Sequence, residues 1–262
     1  MQFFKMHNQG NDYIFLFEKP SRSQIVRLCD RNFGIGGDGV VYIYNKDGIY
    51  GYEIYNKDGS RASFCGSVTL ALGLYIYKKE NKKSFSILTD CGIKKISVEP
   101  SASANKVCVE MDKVIFPKEY NLFNRLITLT CLGEKIYVRA TLVDVGNKHL
   151  VIRGLYNEQK RKKIIQALEK HPAFLGGINV EFVERKSSRR ARVIVYERGS
   201  GKTLCCSSGG VAVFAVLNAL GHADKEMDLC FDGGSLNLKK QGKKILLSSY
   251  PKFLYFGNWC NL

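Results

Sequence analysis

The sequence has no apolar run that approaches the length of about 20 residues that a membrane-spanning helix needs. Its first residues contain no basic stretch that leads into a long apolar segment, so we expect no secretory signal. Low-complexity segments and disordered linkers are also lacking. With 262 residues, 45% of them hydrophobic, the chain can form one large domain or two of ordinary size. We therefore expect a globular, cytoplasmic protein with no membrane partner.

The sequence also lacks a disulfide framework and a metal-binding pattern. Its nine cysteines are an odd number and are scattered, so we expect reduced thiols in a reducing compartment. The closest pair, Cys205 and Cys206, has no spacer, whereas zinc ligands are usually separated by about two to four residues. No histidine lies near this pair. We predict no metal site.

The chain is basic, with 40 Lys and Arg against 24 Asp and Glu and a formal net charge of +16. Such a charge would suit a protein that binds nucleic acid or an acidic ligand. Aromatic residues do not alternate with the basic runs at 78–83, 160–163 and 185–190, as they would on a surface that stacks bases. We favour a solvated basic surface and expect no nucleic-acid partner, and a non-catalytic basic binding module remains the alternative from another functional class.

Two strand-rich halves make up the chain. Short apolar or alternating runs bounded by Gly, Asn and Asp predict strands at 3–7, 12–17, 40–45, 50–55, 85–90, 94–99, 106–112, 135–145, 149–154, 179–185, 191–198, 227–231 and 244–249. Apolar residues at helical spacing predict helices at 23–32, 67–79, 157–170 and 208–221, the first capped by Ser21 or Ser23.

A repeated pattern surrounds two of the cysteines. A polar glycine turn, a basic residue, a cysteine, a few small residues and an apolar helix follow one another around Cys65 and again around Cys206. The two cysteines are about half the chain apart. The repeat predicts a duplicated unit with a cysteine at each helix N-terminus, an N-terminal half at 1–116 and a C-terminal half at 117–262, and it allows the last strand to pack back on the N-terminal half.

Two glycine-rich segments imitate nucleotide-binding motifs. The segment GIGGDG at 34–39 has the glycine spacing of a dinucleotide fingerprint, which requires a strand before it and a helix after it. Here a predicted helix precedes it and a predicted strand follows, so we expect a glycine turn. The triplet Gly201-Lys202-Thr203 lacks the glycine that a phosphate-binding loop has five positions earlier, where this chain has Tyr196.

A cysteine at a helix N-terminus has a chemical use. The unpaired N–H groups and partial positive charge there lower the pKa of a thiol and can bind an anion. Two such thiols facing each other across a cleft could remove a proton from one side of a carbon and deliver one to the other, which is racemisation or epimerisation. This mechanism needs no cofactor. A pair of buried core thiols is the structural alternative.

The motifs resemble, in order and nearly end to end, those of the diaminopimelate epimerases, which are pyridoxal-independent isomerases. The matching segments are KMHNQGNDYIF, RNFGIGGDG, NKDGSRASFCG, VGNKH, GGINVEFVE and ERGSGKTLCC. The resemblance implies an α+β fold of two pseudo-symmetric halves, each a barrel-like strand layer around a central helix, with the active site in the cleft between them. It also implies a small amino acid as substrate, no cofactor, a role in lysine biosynthesis and a homodimer.

The resemblance assigns roles to residues by their place in these motifs. It makes Cys65 and Cys206 the two acid-base thiols and Cys205 a neighbour that takes no part. Substrate-binding positions follow at Asn11, Asn56, Gly66, Ser67, Asn147, Asn179, Glu197, Arg198, Ser207 and Ser208. Glu197 is expected to meet a distal ammonium and Arg198 a distal carboxylate. Because the residues that follow each cysteine differ from the family pattern, a related racemase for another amino acid, such as histidine, remains the alternative to diaminopimelate.

Overall fold

The computed structural model describes residues 1–111 and 114–260. Its strands are β1 Gln2–Asn8, β2 Asn11–Leu16, β3 Gly39–Lys46, β4 Ile49–Asn56, β5 Arg61–Ala62, β6 Ser84–Thr89, β7 Gly92–Glu99, β8 Lys106–Met111, β9 Arg125–Cys131, β10 Glu134–Asp144, β11 Lys148–Arg153, β12 Asn179–Ser187, β13 Arg190–Glu197, β14 Gly201–Thr203, β15 Glu226–Phe231, β16 Gly234–Gln241, β17 Lys244–Ser249 and β18 Lys252–Asn258. Its α-helices are α1 Arg22–Cys29, α2 Gly66–Glu80, α3 Glu158–Glu169 and α4 Ser207–Ala219.

The four predicted helices are confirmed, with ends that differ by a few residues. Ser21 caps α1 in a capping box, in which its side chain accepts a hydrogen bond from Gln24 N and the Gln24 side chain accepts one from Ser21 N. The predicted strand at 106–112 is observed as β8, and Asp112 lies outside the described residues. Strands β5, β9, β14, β16 and β18 were not among the predicted runs.

The chain divides into two compact units, one of Met1–Glu110 with Leu247–Leu262 and the other of Met111–Leu246. In the first unit, β1 pairs antiparallel with both β18 and β2, and β2 pairs parallel with β3. The ladder continues through β4, β6, β7 and β8. Helix α2 contacts β7 and the adjacent strands β1 and β18. Because β7 is well separated from these two in the ladder, the strands curve around the helix.

The second unit repeats this plan. Its β10 pairs antiparallel with β11, β11 pairs parallel with β12, and β12 pairs antiparallel with β13. Strand β13 then pairs parallel with β15, and β15 antiparallel with β16. Helix α4 contacts β10, β11, β12, β15 and β16, as α2 contacts the strands of its own unit. The duplication predicted around the two cysteines is therefore confirmed in the order of elements and in their pairing.

Composition explains why α2 and α4 are central. Both helices carry apolar residues on nearly all sides, and ten residues of each are buried. A helix that is apolar all round has no face suited to water and must be enclosed. Helices α1 and α3 instead have a single apolar face, with which they cover the outside of the strands. Within the described residues, no helix is long and apolar enough to cross a membrane.

The segment GIGGDG forms a turn between α1 and β3, as predicted. A Cβ atom at Gly34 would lie 2.1 Å from the carbonyl oxygen of Arg27, so only glycine fits against the end of α1. The buried ammonium of Lys5 donates to the carbonyl of Gly36 and lies 2.8 Å from the carboxylate of Asp12. This segment is thus a structural turn fixed by β1 and β2.

Candidate active site

Cys65 is the N-cap residue of α2, in extended backbone conformation with φ −144° and ψ 119°. Its carbonyl oxygen accepts hydrogen bonds from the backbone N of Thr69 at 3.0 Å and from Thr69 Oγ1 at 2.9 Å. The buried hydroxyl of Tyr52 lies 2.8 Å from Thr69 Oγ1 and donates to the same carbonyl at 3.5 Å. Side chains from β4 and α2 therefore hold the backbone from which the thiol projects.

The thiol of Cys65 lies 3.7 Å from the hydroxyl of Tyr13 on β2. Asn11 begins the same strand two residues earlier, so it projects from the same face as Tyr13. Asn56 ends β4 and closes an exposed turn, in which its Nδ2 donates to Ser60 Oγ at 3.0 Å. Gly66 and Ser67, the first residues of α2, are buried.

Cys206 occupies the equivalent place in the second unit. It is the N-cap residue of α4, with φ −131° and ψ 119°, close to the angles of Cys65. Its sulfur accepts a hydrogen bond from the backbone N of Gly209 at 3.4 Å and lies 3.3 Å from Ser208 Oγ. Cys206, Cys205 and Ser207 are buried, and Ser208 is half-buried.

The expected lowering of the thiol pKa is wrong for Cys206. Burial raises the pKa of this thiol well above its usual value, and the carboxyls of Glu197 and Glu181 raise it further. The hydrogen bonds from Ser208 and Gly209 lower the pKa but do not outweigh these effects. The two carboxyls come from β12 and β13, and only that of Glu197 lies in the motif that contains the cysteine.

Glu197, at the end of β13, has its carboxyl beside this thiol. Burial raises the pKa of Glu197, while hydrogen bonds from Thr203 and Cys206 lower it. The bond from Thr203 Oγ1 to Glu197 Oε1 is 2.5 Å long. Among the predicted site residues, Glu197 and Cys206 are therefore brought together.

Three other predicted residues, Asn147, Asn179 and Arg198, line one cavity of about 490 Å³ in the second unit. The Asn179 side chain accepts a hydrogen bond from the backbone N of Arg198 at 3.0 Å and donates one to the backbone O of Lys148 at 3.1 Å. It thereby ties the end of β13 to the start of β11. Asn147 and Arg198 are exposed, so their side chains are open to a ligand.

Two further polar residues of this region were not predicted as site residues. His149 and Glu181 are fully buried, and Nδ1 of His149 lies 2.6 Å from Oε1 of Glu181. Nε2 of His149 lies 3.1 Å from Oδ1 of Asn147. The sequence could have pointed to them, because each lies two residues after a predicted site residue. His149 follows Asn147, and Glu181 follows Asn179, at the start of neighbouring strands.

Metal ligation has no support in the described parts of the chain. Across residues 1–111 and 114–260, no group of three or more His, Cys, Asp and Glu side chains could hold a metal ion.

The Gly201-Lys202-Thr203 triplet forms β14, and the Lys202 ammonium pairs with the carboxylate of Asp232 at 2.8 Å. This lysine is thus engaged with a carboxylate of the chain itself.

Comparison with known proteins places the chain in a family. The family described as diaminopimelate epimerase matches residues 3–117 and 141–249. A diaminopimelate epimerase of Carboxydothermus hydrogenoformans is 35% identical, with 99% of each chain covered. One of Rickettsia typhi is 31% identical, with 99% of this chain and 97% of the relative covered.

Solved structures show the same fold at low sequence identity. A probable proline racemase from Agrobacterium radiobacter gives a TM-score of 0.73 at 13% identity, covering 99% of this chain and 93% of the other. A hydroxyproline epimerase from Agrobacterium vitis gives 0.70 at 14% identity, covering 98% and 90%. The family match over most of the sequence and the full-length relatives together establish that this chain belongs to the diaminopimelate epimerase family.

Proposed function

We propose that the chain catalyses the epimerisation of LL-diaminopimelate to meso-diaminopimelate, a reaction of lysine biosynthesis, with Cys65 and Cys206 as the acid-base pair. The observation that carries the proposal is the equivalence of the two cysteines. Each is the N-cap of the enclosed helix of its unit, with nearly the same backbone angles. Family membership adds the reaction class.

The proposed chemistry is a pair of proton transfers that needs no cofactor. One sulfur, as thiolate, removes the α-proton and becomes a thiol, and the electron pair of the broken C–H bond stays on the carbon. That charge spreads into the adjacent carboxylate, which N–H groups at a helix N-terminus can stabilise. The other thiol donates its proton to the opposite side of the carbon and becomes a thiolate. Atoms and charge balance, and the stereocentre is inverted.

The surroundings of Cys206 support its role as the proton donor in the resting enzyme. Because burial and two carboxyls raise the pKa of this thiol, it is protonated at neutral pH. Cys65 is then the base. In the reverse direction Cys206 must lose its proton, and the Glu197 carboxyl that accepts its hydrogen bond is placed to take it. We therefore propose that Glu197 serves the reacting end of the substrate and not, as the resemblance implied, its distal ammonium.

Arg198, Asn147 and Asn179 are proposed to form the distal subsite, in line with the cavity that they share. A guanidinium pairs well with a carboxylate, which diaminopimelate carries at its far end. The Asn179 side chain already bonds two backbone groups, so we propose that it orients Arg198. Histidine has no distal carboxylate and would leave Arg198 unpaired.

The two-thiol mechanism is tested by solvent-deuterium incorporation at the α-carbon of LL-diaminopimelate. We expect Cys65→Ala and Cys206→Ala each to abolish epimerisation, whereas Cys205→Ala, the neighbouring buried thiol, should retain it. Circular dichroism establishes that each variant is folded. Undiminished epimerisation in both of the first two variants would refute the mechanism.

The substrate is tested with a panel that includes LL-diaminopimelate, histidine and other common amino acids. We expect turnover of diaminopimelate and a loss of that turnover in Arg198→Ala, with little change in thermal stability. Arg185→Ala, an exposed arginine on β12, is the matched control. Exchange of histidine without exchange of diaminopimelate would overturn the substrate and leave the two-thiol mechanism intact.

A cytoplasmic homodimer is proposed on family resemblance alone. Sedimentation equilibrium of the purified protein tests the oligomeric state, and cell fractionation tests the location. A monomer at all concentrations would contradict the first proposal, and recovery in the membrane fraction would contradict the second.

A further inference from the structure

On the sheet face that is turned towards α4, the first residues of β11 and β12 are polar. His149 on β11 lies directly opposite Asn179 on β12, and Glu181 is the next residue of β12 on the same face. The alternating residues Leu150, Val180 and Phe182 lie on the opposite face of the sheet, where they belong to the apolar core beneath α3. His149 and Glu181 therefore lie on the side of the sheet that faces α4.

Glu181 reaches the first turn of α4. A Cβ atom built on Gly209 would lie 2.5 Å from Glu181 Oε1 and 3.1 Å from Glu181 Cδ. Only a residue without a side chain leaves this space to the carboxyl. Since the sulfur of Cys206 accepts a hydrogen bond from Gly209 N, the carboxyl packs against the same turn that holds the thiol.

Hydrogen bonding of His149 limits where the protons of this pair can be. The 2.6 Å distance between Nδ1 and Glu181 Oε1 requires one proton between the two atoms. Nε2 faces the Oδ1 atom of Asn147, which is an acceptor, so Nε2 must carry a second proton. The pair is then an imidazolium with a carboxylate or a neutral imidazole with a carboxylic acid.

Both arrangements carry no net charge, which suits a pair that is fully buried. Oε2 of Glu181 has no hydrogen-bond partner among the described residues and is buried, so an additional negative charge there would be costly. The ionisable groups that influence the pair from neighbouring elements are Glu197 on β13 and the Cys206 thiol on α4.

We propose that Glu181 is a positioning residue. Through the proton that it shares with Nδ1 of His149, it keeps the Nε2–H group of His149 as a hydrogen-bond donor to the side chain of Asn147. The inference rests on the proposed function in one respect, because it takes Asn147 to be part of the distal substrate subsite. Glu181 itself does not contact the substrate. Its effect passes through two hydrogen bonds to a side chain that is exposed in the cavity.

The first test reads the protonation of His149 directly. ¹⁵N-histidine labelling of the intact protein, with the signal assigned from a His149→Gln variant, reports which ring nitrogens carry protons. We expect Nε2 to carry a proton at pH 7. A bare Nε2 at this pH would overturn the proposal. No substrate is needed, so this result is independent of whether the chain acts on diaminopimelate.

The second test separates substrate binding from catalysis. Glu181→Leu removes the partner of Nδ1 while it keeps a side chain of similar length, and we expect KM to rise about ten-fold with kcat changed much less. Glu181→Gln can donate from its amide to Nδ1 and should recover most of this loss. Glu184→Gln, on the same strand but exposed, is the matched control.

A double-mutant cycle tests the route of the effect. If Glu181 acts through Asn147, Glu181→Leu should raise KM no further in an Asn147→Ala background. Additive effects of the two substitutions would overturn the route, and unchanged KM in Glu181→Leu would overturn the role. Should Glu181→Leu fail to fold, the wild-type NMR measurement still decides the proposal.

Discussion

Glu197 accepts a hydrogen bond from the thiol of Cys206, and its carboxyl is the charged group that most raises the pKa of that thiol. A carboxylate next to a thiol disfavours the thiolate because the two negative charges repel each other. The hydrogen bonds from Ser208 and Gly209 act in the opposite direction. The pKa of Cys206 is thus set by burial together with residues of β12, β13 and α4.

Replacement of Glu197 should therefore lower the pKa of Cys206. In Glu197→Gln the negative charge is lost, so the thiolate forms at lower pH and iodoacetamide should modify Cys206 faster at neutral pH. Peptide-level mass spectrometry of the modification rate against pH measures the shift. Glu184→Gln, which removes an exposed carboxylate paired with Lys186, should leave the profile unchanged. A profile that moves to higher pH in Glu197→Gln would contradict the electrostatic argument.

We expect the Asp12 carboxylate to make a contribution to the stability of the fold that is lost in acid. Burial alone would raise the pKa of Asp12, but hydrogen bonds and charges from Arg31 and Lys5 outweigh it and lower the pKa below the usual 3.8. The carboxylate therefore stabilises the fold above that value, and the stabilisation is lost as pH falls through the lowered pKa. Asp38, whose pKa is raised by burial and by Asp12, opposes this effect.

Asp12→Asn should destabilise the protein at pH 7 by about 3 kcal/mol, because it leaves the buried Lys5 ammonium without its carboxylate. Urea unfolding at pH 7 and pH 3 measures the difference between wild type and variant, which should shrink at the lower pH. Asp47→Asn, in an exposed turn, is the control. Equal stability of Asp12→Asn and wild type at pH 7 would show that the ion pairs contribute nothing.

Gly209→Ala tests the contact between α4 and Glu181. The new methyl group would overlap the Glu181 carboxyl, and we expect a loss of stability of about 2 kcal/mol together with a loss of activity. In Gly210→Ala the methyl group would meet Leu236 at 3.0 Å, where a small shift suffices and the higher helix propensity of alanine offsets part of the cost. Thermal unfolding and turnover of both variants provide the comparison. Equal losses in the two variants would argue against a special fit at Gly209.

Tyr52→Phe tests the support of Cys65. The substitution removes the hydroxyl that bonds Thr69 Oγ1 at 2.8 Å in a fully buried place, and we expect a cost of about 1 kcal/mol in unfolding free energy. Tyr137→Phe, whose ring is exposed on β10, should cost nothing measurable. Chemical denaturation of both variants measures the difference. An unchanged unfolding free energy in Tyr52→Phe would mean that the hydroxyl of Tyr52 does not stabilise α2.

Local patterns were sufficient to predict the helices and the duplication. The enclosed helices α2 and α4 have unbroken apolar composition, and both follow a cysteine and small residues, which is a signal within one stretch of chain. Strand β16 was not predicted because Leu236 and Leu238 are its only apolar residues. It is a strand because it pairs with β15. The length of β9 likewise depends on its pairing with β10.

The candidate site was predicted only where a motif carried it. The places of Cys65 and Cys206 follow from the repeat, whereas the pair of His149 and Glu181 joins residues on separate strands that no local pattern connects. The predicted direction of the Cys206 pKa shift was wrong for the same reason. A helix N-terminus can be read from sequence, but burial and carboxyls supplied by other strands are known only after the chain has folded.

The pairing of β18 with β1 has a consequence for synthesis on the ribosome. Both strands belong to the first unit, although residues 252–258 are made long after residues 2–8. Until β18 leaves the ribosome, one edge of β1 has no partner, and Phe3 and Phe4 lack the aromatic neighbours Tyr255, Phe253 and Phe256 that pack on them. The second unit is continuous in sequence and can be completed first. The part of the chain that is translated first is thus the last to close, and its open strand edge is exposed to other nascent chains in the meantime.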